Sequence, residues 1–99
     1  MLDKDYLRKT VGISIADFDD ELSELELAAM KKLELSGICK NKIVKTDSLI
    51  VQTVRAYIKA YFRNTPDDIA EKYQTVFEEN KNFMRSTKEY TEESESDNG

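Results

Sequence analysis

The sequence predicts an all-α protein, a small helical bundle of about four helices followed by an acidic C-terminal tail. Three observations carry that expectation. Ninety-nine residues suffice for one domain. Three Gly and one Pro are too few for the many tight turns of a β-sandwich or barrel. The apolar residues recur at helical rather than alternating spacing.

Asp3 caps a short first helix running to about Thr10, with Leu2 and Leu7 as its apolar contacts and Gly12 as its stop. Asp17 opens the second helix. Phe18, Leu22, Leu25, Ala29 and Leu33 follow its period, Asp19, Asp20 and Glu21 complement the dipole of its first turn, and Gly37 ends it. Leu27, Met30 and Leu35 widen the apolar face enough to contact either a second internal helix or another subunit, and core packing is the expected use. Ser36 to Thr46 has no period and reads as a loop or short extended arm carrying Lys40, Lys42 and Lys45.

Asp47 caps the third helix, the most hydrophobic segment and the expected centre of the bundle, with Ile50, Val54, Tyr57, Ile58 and Tyr61 on one face. Next comes the sharpest local signal, Thr65 as N-cap, Pro66 at the first helical position, then Asp67 and Asp68. Ile69, Tyr73, Val76, Phe77, Phe83 and Met84 carry the fourth helix to about Arg85, antiparallel to the third because the connection is short. The predicted core is Leu22, Leu25, Ile50, Val54, Tyr57, Ile58, Tyr61, Ile69, Tyr73, Val76 and Phe77. The domain is expected to span residues 1–90. Residues 91–99 have no apolar side chain and are expected to form a disordered acidic tail.

Charge is segregated along the chain. The net charge of -5 does not suggest a general nucleic-acid binder. From Asp17 to Glu26 six carboxylates meet no basic residue, whereas from Lys31 to Arg63 eight basic residues face only Glu34 and Asp47. Arg55, Lys59 and Arg63 recur every four residues on one helical stripe, placed either to meet an acidic surface or to lie in solvent. Such polarity allows copies of the chain to associate, acidic segment to basic segment, and Asp19, Asp20 and Glu24 are the expected partners of a neighbour's Arg55, Lys59 and Arg63.

Catalytic and cofactor signatures are not evident. The chain lacks histidine, and one cysteine, Cys39, supplies no zinc ligand set and no disulfide partner. There is no glycine-rich phosphate loop. The expectation is a protein that is not an enzyme and uses no cofactor or metal. The single cysteine and the polar start at Met1 to Asp5 point to the reducing interior of a cell, and no apolar run approaches membrane-spanning length.

The run from Asp47 through Val54, Arg55, Tyr57, Ile58 and Tyr61 to Phe62 is followed by the turn at Pro66 and a helix through Tyr73, Phe77 and Met84 to Ser86 and Tyr90. It resembles the small head-tail connector proteins of tailed bacteriophages, often labelled DNA packaging proteins. The N-terminal half is similar too, a short Leu-containing helix before an acidic-start helix bearing Leu22, Leu25, Ala28 and Ala29, so the resemblance covers about residues 1–90. It implies a subunit of a ring, dodecameric in relatives, located in the virion at the head-tail interface after assembly in the bacterial host cytoplasm.

Such a ring docks beneath the portal protein, extends the DNA channel without specific recognition of the DNA, and offers the attachment site for tail-completion or stopper proteins. Lys40, Lys42 and Lys45 are then expected to meet the portal or line the channel. The C-terminal region is a second docking element in relatives, although here the tail departs in being rich in Glu and Ser. The competing readings are a small helical DNA-binding regulator using the Arg55, Lys59 and Arg63 stripe, and a protein-interaction adaptor outside any virion.

Overall fold

A computed structural model describes residues 1–92. These form α1 (Lys4–Thr10), α2 (Asp19–Leu35), α3 (Ser48–Tyr61), α4 (Asp67–Arg85) and the single turn α5 (Lys88–Thr91), and they contain no strand. A 3-10 turn over Lys40–Lys42 interrupts the connection between α2 and α3, so this basic segment is neither an extended arm nor wholly irregular. The expected tail falls mostly on residues 93–99, outside the described residues, while Thr91 still belongs to α5.

The local signals act through identifiable bonds. Asp3 accepts from the Tyr6 N–H at 2.8 Å, and Asp47 accepts from the Leu49 and Ile50 N–H groups at 2.9 and 3.1 Å, each supplying an acceptor to otherwise orphaned helix donors. Gly37, at φ 114°, reverses the chain after α2. The Gly37 N–H donates to Glu34 and the Ile38 N–H to Leu33, the paired bonds of a Schellman stop, and Ile38 is buried.

Two helix starts lie later than expected. α2 begins at Asp19 with Phe18 as its cap residue, not at Asp17, because a turn from Ala16 to Asp19 directs the Phe18 ring edge-on against Phe62 at 5.5 Å. α4 begins at Asp67 with Pro66 as the cap. Pro66 has extended ψ (151°), and its carbonyl accepts from the Ala70 N–H at 2.8 Å. Thr65 therefore provides no side-chain cap, and the carboxylates of Asp67 and Asp68 meet the positive end of the helix dipole.

α3 is the centre. It packs against α1, α2 and α4, and Ile50, Val54, Tyr57 and Ile58 are buried on it together with Val51, Thr53, Ala56 and Ala60. From α2 come Leu22, Ala29 and Leu33, and from α4 come Phe77 and Met84, with the Phe77 ring against Tyr57 at 5.0 Å. Leu25, Tyr73 and Val76 are half-buried around this cluster. Tyr61 and Ile69 are not core residues. They are 48% and 42% exposed and lie at the tip of the α3–α4 hairpin.

Leu27 and Leu35 are likewise outside the core, at 63% and 73% exposed, as is Phe83 at 57%. The α2 stripe that turns inward runs through Leu22, Glu26, Ala29 and Leu33, leaving Leu27 and Leu35 on the opposite side of the helix.

Both ends of the described chain are fastened. Glu26, although part of the acidic run, is buried and accepts from the Leu2 N–H at 2.7 Å and the Met1 ammonium at 3.4 Å. At the other end the Cys39 N–H donates to the Tyr90 carbonyl at 2.8 Å, and the Tyr90 hydroxyl donates to Asp47 at 3.0 Å. Among the described residues no helix is long and apolar enough to cross a membrane.

Candidate functional site

The basic stripe of α3 lies in a valley between α1 and α4. Because α3 is covered on its other sides, Arg55 and Lys59 are the charged groups that reach out of it, each half-buried and stacked on a tyrosine. The Arg55 guanidinium lies 5.0 Å from the centroid of the Tyr6 ring and donates through Nε to Thr10 Oγ1 at 3.1 Å. Lys59 Nζ lies 4.6 Å from the centroid of the Tyr73 ring and 3.3 Å from its hydroxyl. The cation–π geometry holds both long side chains without neutralising them.

Lys72 approaches the same Tyr73 ring at 5.5 Å. The hydrogen bond from Lys59, then its charge, and the further charges of Lys72 and Arg55 hold the Tyr73 hydroxyl below the ordinary tyrosine range, against the smaller opposing effect of its burial. Among the described residues none of Arg55, Lys59 and Lys72 forms an ion pair with a carboxylate. Between α3 and α4, Arg55, Lys59 and Tyr73 border a cleft of about 200 Å³ together with Gln52, Ala56 and Val76.

Arg63, the third member of the stripe, is occupied. Its Nε donates to Glu21 Oε1 at 2.7 Å and its guanidinium stacks over Phe18, so its charge is satisfied within the chain. Asp19 is occupied in the same way, gripped by Arg8 through Nε at 2.9 Å and a terminal nitrogen at 2.6 Å. That fork holds the Asp19 carboxyl below the usual carboxylate range and raises Arg8. Of the expected acidic partners, Asp20 and Glu24 remain exposed and, among the described residues, outside any ion pair.

The three lysines of the loop do not line one surface. Lys40 borders a cleft beside Leu27, Met30, Lys31 and Ile43 on the α2 side, Lys42 is half-buried, and Lys45 borders a different cleft with Tyr6, Ser48 and Arg55.

Sequence periodicity misses the residues that select which charges stay open. Spacing gives no sign that Arg8 and Glu21 act as internal partners, and it places Tyr73 in the core rather than at the rim. A signal for Tyr73 exists in its hydroxyl, which needs a polar partner or solvent when the ring is partly covered. Nothing in spacing alone couples Arg8 to Asp19 across the turn between two helices. Among the described residues no cluster of three or more acidic, cysteine or histidine side chains has the geometry of a metal site. Searches with family models, curated proteins and solved structures returned no match for this chain.

Proposed function

We propose that this chain is a structural subunit of a bacteriophage head-tail connector, an adaptor ring that docks under the portal, continues the DNA channel and carries the attachment site for a tail-completion or stopper protein. One observation supports it most: the subunit leaves a cationic valley (Arg55, Lys59, Lys72) and an acidic helix face (Asp20, Glu24) open on different elements, after internal partners have absorbed Arg63 and Asp19. A ring closes by repeating one heterologous contact, which requires two unlike complementary surfaces on every copy. The helix pattern of residues 1–90 and its resemblance to the connector proteins supply the setting.

The valley argues against the regulator reading. A recognition helix must project into the DNA major groove, whereas α3 is flanked by α1, α2 and α4 and shows only a recessed strip of itself. Arg63, which would extend the strip, is bound to Glu21.

The test is affinity capture of the tagged chain from a phage-producing culture of its source, with co-purifying proteins identified by mass spectrometry. Portal and tail-completion proteins are the expected partners. Recovery of host proteins with no virion component overturns the connector role.

A further inference from the structure

The apolar residues that the subunit leaves uncovered have the same two-sided arrangement as the charges. On α2 the outward face carries Asp20, Glu24, Leu27, Lys31 and Leu35, opposite the stripe buried against the bundle. On α4, Ile69, Val76 and Phe83 recur at i, i+7 and i+14, which keeps them on one flank of the helix, and Val76 with Tyr73 walls the cationic cleft. We infer that the outward face of α2 seats in the α3–α4 groove of a second copy of this chain, with Leu27 and Leu35 as its apolar anchors and Glu24 entering the cluster of Arg55, Lys59 and Lys72. The inference rests on the ring-subunit reading and specifies its contact.

Spacing fixes the direction. If the incoming α2 runs parallel to α4, Glu24 comes level with Tyr73 and hence with Lys59, and Leu27 with Val76, while Lys31 and Leu35 fall one residue past Glu79 and Phe83, about 1.5 Å along the axis. Glu24 to Leu35 covers about 16 Å of helix, close to the separation of Tyr73 and Phe83, at 1.5 Å per residue. The antiparallel arrangement that sets Leu35 beside Ile69 carries Glu24 and Asp20 toward Asn80 and Phe83, away from Arg55, Lys59 and Lys72 and toward Lys81, which Glu78 already pairs, and Arg85. Charge therefore selects the parallel register, and the leucines supply the area. This is a helix laid in a groove, read by anchors on one helical face.

Because the donor face and the groove are different surfaces, the contact is heterologous and has a distinctive test. Sedimentation velocity of the full chain at low salt, to about 1 mM so that weak contacts register, is expected to give a mass that rises above 11.4 kDa. Leu27→Asp removes the donor face and Phe83→Asp the groove, each at an exposed position where circular dichroism should show the fold intact. Each variant alone stays monomeric. Their equimolar mixture forms a dimer and stops there, since one partner keeps only the groove and the other only the face.

Glu24→Lys should weaken wild-type association at least tenfold, and mixing it with Lys59→Glu should restore pairing. A wild-type chain that remains monomeric overturns the inference, as do single variants that assemble like wild type or a mixture that fails to pair. Outcomes for the two readings separate. Association blocked by these variants in a chain that never captures portal protein keeps the contact and discards the connector. Rings on a portal that ignore the variants keep the connector and discard the contact.

Discussion

Tyr90 shows how one side chain joins the end of the described chain to its centre. Its ring is buried, its carbonyl receives the Cys39 N–H, and its hydroxyl donates to Asp47, the residue that caps α3. Burial and the adjacent carboxylate push the Tyr90 hydroxyl up to about 12 from 10.0. A raised value means that the folded state prefers the neutral phenol. The associated stability is fully present below pH 10.0, the unfolded value, and is lost as pH rises toward about 12.

Thermal melts should therefore show wild type losing ground to Tyr90→Phe across that interval. Below it, Tyr90→Phe should be less stable by about 1.5–3 kcal/mol, the scale of a hydrogen bond to a charged acceptor. Asp19 has the opposite sign. Its carboxyl is held below 3.8 by Arg8, so its contribution is complete above that pH and disappears as pH falls through its own lower range. Asp19→Asn should melt below wild type at pH 7, and the gap should close in acid. The caps at Asp3 and Asp47 are legible in the sequence because a cap acts within three residues of itself. The Arg8–Asp19 fork is not, because it depends on how the turn between two helices folds.

At the scale of elements, helix stops and the identity of the central helix were legible, whereas which flank of each helix is covered was not. The period of α2 admits a wide apolar face, but only the neighbouring helices decide that Glu26 turns inward and Leu27 outward. Glu26 is tolerated inside because two donors from the N-terminal segment meet it, at 2.7 and 3.4 Å. That bond fastens the segment leading into α1 to the middle of α2. Glu26→Ala strands the Leu2 N–H and should cost about 1–3 kcal/mol.

The loss should be local first. α1 is short and contacts α2 and α3 through few side chains, notably Leu7 and Thr10, so it forms a low-stability unit of the fold. Hydrogen exchange of Glu26→Ala should show α1 amides exchanging faster while α3 amides keep most of their protection. Equal acceleration in both helices would contradict a latch that serves α1.

For the whole molecule, the chain closes a core and leaves other apolar residues exposed, and the two sets are distinct. Phe77 lies in the core at 2% exposure, edge-on to Tyr57, at the level where α4 crosses the middle of α3. Replacing it with alanine deletes a ring from the contact between α3 and α4 and leaves a cavity, a loss of about 3–5 kcal/mol. A domain of this size has about 5–15 kcal/mol in total, so Phe77→Ala should unfold at much lower temperature and expose the chain globally. Phe83, on the same helix and of the same chemistry, projects into solvent at 57% exposure. Its replacement by alanine should leave the melt within about 0.5 kcal/mol of wild type, as surface changes do. Paired melts of the two phenylalanine variants, measured at a concentration where the chain is monomeric, separate the residues that fold the chain from those its fold leaves exposed. An unshifted melt for Phe77→Ala would remove that ring from the core, and a large shift for Phe83→Ala would return its face to the fold.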